Sequence, residues 1–214
     1  MTTAETRPPG RSTYRHGDLR RALLEIGIQL ARSGGPDAVV LREATRRVGV
    51  APNAAYRHFA DRDALLHAVC SAAQSALAVA IETELARSPR ESDPADSARA
   101  SLRAVGTGYL RFAQVEPGLF RTAFSVPDDL DNATNPARAG SSGLTPFQLL
   151  AAALDELVEA GVLPRERRPG AEFLAWSAVH GLAMLIIDGP LRGLEQDQTQ
   201  DIGRRLLDMV ELGL

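Results

Sequence analysis

Cysteine is almost absent from this sequence, whose 214 residues include only Cys70. A single thiol cannot form a disulfide within the chain, and no second cysteine provides the spacing of a metal cluster. The first residues also lack the apolar core of a secretion signal. We therefore expect a cytoplasmic protein, and we predict neither a bound metal nor another cofactor.

Long apolar runs are scarce as well. We take the stretch from Phe173 to Ile187 as the longest uncharged apolar run, and its 15 residues fall short of the roughly 20 that a bilayer requires. It predicts a buried helix and no membrane partner. Glycine and proline usage is close to average, which excludes collagen-like and wholly disordered chains.

Lysine is missing altogether, because all 24 basic residues are arginine. The arginines are unevenly placed: residues 1–60 contain ten arginines and five acids, whereas the remaining residues contain fourteen and twenty-two. A basic module attached to an acidic body is typical of a protein that meets a polyanion through the module. Chance clustering of charge is the alternative explanation.

Alternation of period two, the mark of a half-buried strand, does not occur, and apolar residues instead recur at helical spacing. The sequence predicts an all-α fold of about nine helices. We divide it into a flexible basic arm (1–14), a helix-turn-helix unit (15–60) and a larger C-terminal domain (61–214) that opens with Asp61 as a helix N-cap. Residues 126–143 are rich in proline, glycine, asparagine and aspartate and predict a long mobile loop.

The layout of residues 41–62 is that of a helix-turn-helix. A short helix over Leu41–Val48 ends at Gly49, which can adopt the left-handed conformation of a tight turn. Pro52 then suits the first position of a second short helix, predicted to extend through Phe59, which we interpret as its anchor in the core. Small residues at the tip of this second helix would let it enter a major groove about 12 Å wide.

Several side chains of this unit could contact DNA. Arg57 could fork to a base edge, while the Tyr56 hydroxyl and the His58 imidazole could bond phosphate oxygens. Each has a structural alternative: a surface charge for Arg57, a half-buried core residue for Tyr56 and a packing role for His58. Arg11 and Arg15 in or beside the arm could reach the backbone or a minor groove.

From residue 14 to about 70 the order of motifs resembles the tetracycline-repressor-like (TetR) transcription regulators, through YRHGDLRRALL and GVAPNAAYRHFADRDALL. The resemblance implies a dimeric regulator of double-stranded DNA that reads a palindromic operator and releases it when a small-molecule effector binds. It also implies which residues contact DNA: Tyr56, His58 and Arg62 on phosphate, and Arg42, Asn53 and Ala54 on bases or backbone.

The C-terminal domain carries a second, shorter resemblance. The segment AWSAVHGLAMLIIDG contains Trp176, His180 and Gly181, and is similar to the Trp-x-x-x-His-Gly core of one TetR subgroup, abbreviated WHG. For His180 a core position is the default reading, with ligand contact or dimer packing as alternatives. The family resemblance implies an effector cavity, and we place it among the large groups of this domain, although core packing explains each of them as well: Phe112, Phe120, Phe124, Phe147, Trp176 and His180.

The helices at 170–188 and 198–213 have more apolar surface than one core can cover. In the TetR family the last two helices of each subunit form a four-helix dimer interface, and a homodimer would explain the excess here. The predicted interface residues are Leu174, Leu182, Leu185, Leu206, Leu207 and Val210.

Two other functions remain open at this point. An enzyme is disfavoured because the sequence has no nucleophile elbow, phosphate loop or metal-spaced histidine and cysteine set. A helical interaction protein that no longer reads DNA is disfavoured by the phosphate-contacting set. The leading prediction is a ligand-responsive regulator, most simply a repressor.

Overall fold

A computed structural model describes residues 16–89, 91–127 and 129–214, with side chains from Leu19 onward. These residues form α-helices and short 3-10 turns without any strand, so the all-α prediction is confirmed. The predicted arm, with Arg11 and Arg15, lies outside the described residues. The helices are α1 (His16–Gly34), α2 (Leu41–Val48), α3 (Pro52–Ala55), α4 (Arg62–Arg87), α5 (Pro94–Val115), α6 (Pro117–Ala123), α7 (Pro146–Glu159), α8 (Ala171–Ile187) and α9 (Gln196–Gly213).

Helix α4 is the central helix of the fold. Its buried side chains recur every three or four residues, with Leu65, Val69, Leu77 and Ile81 each at most 1% exposed, and they pack against α1, α5 and α6. By length and hydropathy α4 is also the one helix in the described residues that could cross a membrane, so taking 173–187 as the longest apolar run overlooked this helix. Its contacts on several sides instead mark it as a core helix.

The predicted local signals of the N-terminal unit are confirmed. Gly49 has φ 78° and ψ 32°, the left-handed conformation that ends α2, and Pro52 occupies the first turn of α3. Asp61 caps α4 by accepting a 2.7 Å hydrogen bond from the amide of Ala64. Helix α3 is shorter than predicted, because after Ala55 the chain continues as a turn to Phe59.

Residues 126–127 and 129–144, which we call the strap, correct the prediction of a mobile loop over 126–143. They contain two 3-10 turns, Leu130–Thr134 and Pro136–Arg138, and they lie against α4. The Ser75 hydroxyl of α4 donates to the carbonyl of Ala139 at 2.7 Å. The composition that suggested mobility therefore belongs to an ordered segment with tertiary partners.

Glu82 of α4 provides the main fastening of the strap. Its carboxylate accepts hydrogen bonds from the amides of Ser141 and Ser142, each 2.9 Å, and from the Ser142 hydroxyl at 2.6 Å. Burial opposes the charge on this carboxylate, but the bonds from the two serines outweigh it and hold the pKa of Glu82 below its usual value. A side chain added at Gly140 would collide with the same carboxylate, which explains the glycine there.

Candidate DNA-reading unit and effector cavity

Helices α2 and α3 are held by a small core. Leu41, Ala44 and Thr45 are buried under α2, and Ala55 and Phe59 are buried at the end of α3. The Thr45 hydroxyl donates to the carbonyl of Arg42 at 2.7 Å, so the threonine brings no unsatisfied polar group to the contact between the helices. Phe59 is the predicted anchor.

The predicted DNA-contacting residues lie on the outside of this unit. Tyr56 is 50% exposed and is not part of the buried core. Arg42, Asn53 and Arg57 are exposed, and His58 is partly exposed, as is Ala54. Within the part of the chain that the structure describes, no hydrogen bond or ion pair engages the side chains of Arg42, Asn53, Tyr56, Arg57 or His58.

The neighbouring arginines of α2 differ in this respect. Arg46 and Arg47 both donate to the carboxylate of Glu43, at 2.7 to 2.8 Å. These bonds lower the pKa of Glu43 to about 2. Two arginines share one carboxylate, so one net positive charge remains at the end of α2, whereas Arg42 and Arg57 have no acidic partner in the described residues.

Arg62 has an arrangement that the sequence did not predict. Its Nε donates to the carbonyl of Val39 at 3.0 Å, and its Nη2 donates to the carbonyl of Pro36 at 2.8 Å. Its Nη1 lies 3.6 Å from the carboxylate of Asp63. The guanidinium is thus hydrogen-bonded to the segment between α1 and α2, although 41% of the side chain is exposed to solvent.

The larger domain encloses a cavity of about 340 Å³. Its walls come from α4, α5, the end of α6, α7, α8, α9 and the strap, and they are mainly apolar. Of the predicted effector residues, Phe124, Phe147 and Trp176 line it. Phe112 and Phe120 do not, because both rings are buried in the core, and neither does His180, which lies behind the cavity wall.

A hydrogen-bonded chain joins the cavity wall to the core. Trp176 Nε1 donates to the hydroxyl oxygen of Tyr109 at 3.1 Å, and that oxygen lies 2.8 Å from Nδ1 of His180. Burial raises the pKa of Tyr109 and lowers the pKa of His180, so both groups are uncharged at neutral pH. When the imidazole carries its proton on Nε2, the Tyr109 hydroxyl accepts from Trp176 Nε1 and donates to His180 Nδ1.

The His180 ring also packs within the aromatic core. Its centroid lies 5.6 Å from Phe120 in a stacked arrangement and 4.9 Å from Phe124 edge to face. The default reading of His180 as a core histidine agrees with this geometry. Sequence reasoning did not predict that Tyr109 of α5 joins Trp176 and His180, because helical spacing relates only positions on the same helix.

The N-terminal unit and the larger domain meet where α1 contacts α4 and α6. A side chain added at Gly118 would overlap the backbone carbonyls of Ala31 and Arg32, so glycine permits this close approach. Arg32 Nε also bonds both carboxylate oxygens of Glu116, at 2.8 and 3.0 Å. Helix α6 includes Phe120, so it touches both the reading unit and the aromatic core.

Comparison with known proteins identifies the family. Residues 23–69 match the family described as "Bacterial regulatory proteins, tetR family", and residues 102–210 match the "Tetracyclin repressor-like, C-terminal domain". The chain belongs to the TetR family. The resemblance seen in the sequence is therefore confirmed, whereas the Trp-His-Gly subgroup stays a prediction, because these descriptions do not name it.

Solved structures resemble this TetR-family chain over nearly its whole length. A protein with unknown function from Rhodococcus sp. RHA1 is 26% identical with a TM-score of 0.70, covering 95% of this chain and 99% of that one. A TetR-family transcriptional regulator from Pectobacterium atrosepticum is 20% identical with a TM-score of 0.62, covering 95% and 96%, and supports the fold alone. Among curated proteins no match was found.

The exposure of residues on α8 and α9 corrects part of the dimer interface predicted for this TetR-family chain. Leu174 and Leu185 are exposed as predicted, at 65% and 44%. Leu182, Leu207 and Val210 are buried within the chain, so assigning them to an interface was wrong; they form its own core. Leu206 is only partly buried. The sequence missed four exposed apolar side chains on these helices: Phe173, Met184, Met209 and Leu212.

Gly181 lies on the same side of α8. A side chain added there would meet nothing within 4 Å, so the glycine does not serve a close contact inside the chain. With Leu174 and Leu185 it recurs at helical spacing, and the strip that these positions mark is open to a neighbour.

Proposed function

We propose that this TetR-family regulator is a repressor that binds double-stranded operator DNA as a homodimer and releases it when a small molecule occupies the cavity. The observation that carries the proposal is the exposed, unpaired polar set on α2, α3 and the turn after α3. Side chains that have no partner in the protein are available for base edges and phosphates. A regulator of this kind acts in the cytoplasm and needs no catalytic centre.

The exposed set divides by chemistry. Arg57 and Arg42 can fork to guanine, and Asn53 can pair with adenine, so these three would specify sequence. The hydroxyl of Tyr56 and the imidazole of His58 would bond phosphate and fix the position of the unit. Ala54 would give the tip of α3 the small profile that close approach to the groove requires.

The direct test is selection of bound DNA from a random pool, followed by measurement of affinity for the selected site and for random DNA. Arg57→Ala should relax the preference at particular base pairs, by about 1 to 3 kcal/mol at each. Tyr56→Phe should weaken selected and random DNA equally. Failure to enrich any sequence, together with no shift of the protein's own upstream DNA, would contradict the proposal.

The proposed dimer rests on the exposed apolar strips of α8 and α9. Leu212 is 84% exposed and Met209 is 59% exposed on α9, while Leu174 dominates the strip on α8. Apolar surface on two adjacent helices favours a helical interface between two copies of the chain. Two copies would present two reading units to half-sites about one turn of DNA apart.

The cavity favours an uncharged, largely apolar effector that contains a ring. Phe124, Phe147 and Trp176 offer faces and edges for stacking. Among the charged residues described in its lining, Asp129 and Arg138 are opposite in sign, and Arg103 pairs with acidic side chains of α9. The volume of about 340 Å³ lies at the lower end of ligand sites in general, so the effector is small.

Fluorescence tests the proposed effector site, because Trp176 is the sole tryptophan. A compound that abolishes DNA binding should change the emission of Trp176, and Phe124→Ala should weaken both effects together. An inducer that leaves the emission unchanged and still acts on Trp176→Phe would place the effector elsewhere.

A further inference from the structure

We propose that Arg62 is a positioning residue that locks the start of α4 to the segment preceding α2, so that the reading unit and α4 keep one relative orientation. This assignment replaces the phosphate contact that the family resemblance implies for this position. Its consequence for DNA rests on the proposed function, whereas the lock itself concerns the protein alone.

The geometry of the Arg62 guanidinium supports this assignment. Nε and Nη2 lie on one edge of the guanidinium, and they bond the carbonyls of Val39 and Pro36, which are 23 and 26 residues away in sequence. A planar guanidinium can serve two carbonyls at once, whereas the ammonium of lysine is a single point on a flexible stem. A lysine at this position would therefore not be equivalent to the arginine.

The segment whose carbonyls accept these two hydrogen bonds needs a stabilising contact from outside α2. Val40 is the N-cap residue of α2, and no side chain caps that helix terminus. Val39, directly before it, is fully buried, and its carbonyl is one of the two that Arg62 holds. The direction in which α2 enters the reading unit thus depends on a contact supplied by α4.

The remaining donors of Arg62 are poorly placed for phosphate. Nη1 lies 3.6 Å from the carboxylate of Asp63, which reduces the positive potential there. Arg57, by contrast, has no acidic partner in the described residues. The chemistry of Arg62 is directed at the protein backbone.

Hydrogen exchange of the full chain without DNA tests the lock. In Arg62→Lys, amides of residues 37–48 should exchange about tenfold faster, because two charge-assisted bonds are lost and cannot both be replaced. Arg87→Lys, which alters an exposed ion pair at the other end of α4, should leave that segment unchanged. Exchange in Arg62→Lys equal to that of the unmodified chain would overturn the proposal.

DNA binding separates the lock from a phosphate contact. A positioning role predicts that Arg62→Lys and Arg62→Gln both bind the selected site about tenfold more weakly, with the dependence on salt unchanged. A phosphate contact predicts that lysine suffices and that Arg62→Gln lowers the salt slope by about one unit. The latter slope would overturn the proposal. If no DNA is bound at all, the proposed function fails, while the exchange experiment still decides the role of Arg62.

Discussion

Removing a single oxygen atom from Tyr109 should destabilise the protein measurably. In Tyr109→Phe the ring remains, but the bonds to Trp176 Nε1 and His180 Nδ1 are both lost. Each such bond contributes about 1 kcal/mol, so the free energy of unfolding should fall by about 2 kcal/mol. For a chain of this length that corresponds to a melting temperature roughly 4 to 8 °C lower.

Thermal unfolding followed by circular dichroism, at one fixed protein concentration, measures this change. Tyr56→Phe is a matched control, since it removes the same atom from a tyrosine that is 50% exposed and has no partner in the described residues. Its melting temperature should stay within about 1 °C of that of the unmodified chain. If Tyr109→Phe behaves like the control, the chain of hydrogen bonds described here does not contribute to stability.

The same chain of bonds predicts a dependence on pH. Burial lowers the pKa of His180, so below its ordinary pKa of about 6.5 the folded state binds fewer protons than the unfolded state. Stability should therefore be fully present above that pH and decline as the pH falls through it. In His180→Gln, which keeps an acceptor for Tyr109 but does not titrate, the decline between pH 7.5 and 5.5 should be smaller. An equal decline would show that His180 is not its source.

Three further changes test other parts of the structure. Glu82→Gln removes the charged acceptor of the strap, so limited proteolysis should cleave the strap faster than in the unmodified chain; equal rates would contradict the fastening. Leu174→Arg should give a folded monomer of 22.9 kDa in light scattering, whereas Leu182→Arg buries an unpaired charge and should unfold. Gly118→Ala should cost about 1 to 3 kcal/mol in urea denaturation through overlap with α1, while Gly181→Ala, with open space around it, should not be destabilising.

The helices of the reading unit could be predicted because their signals are local. Gly49, Pro52 and Asp61 each act on the backbone within a few residues, and the structure uses each as expected. The identity of the family followed from the same short region. The role of Arg62 could not follow, because its partners lie more than twenty residues away and are backbone carbonyls, which carry no sequence signal.

Errors in the larger domain have the same physical origin. The strap has the composition of a loop, and Ser75 and Glu82 of α4, about sixty residues earlier, hold it in place. Helix α8 has apolar residues on two sides, and periodicity cannot decide which side its own chain covers. Packing against α5 and α9 buries Leu182 and leaves Leu174 outside. Tertiary contacts therefore decided what the pattern left open.

The strap has a consequence for how ligand preference could diverge among related proteins. Among the described residues, it supplies six of the 23 around the cavity and none of the fully buried side chains of the core. Substitutions there could reshape one wall while α4, α5 and α8 keep their packing and the reading unit keeps its orientation. If the proposed effector binds in the cavity, its chemical identity can change without a change in the reading unit, provided that Glu82 continues to hold the segment in place.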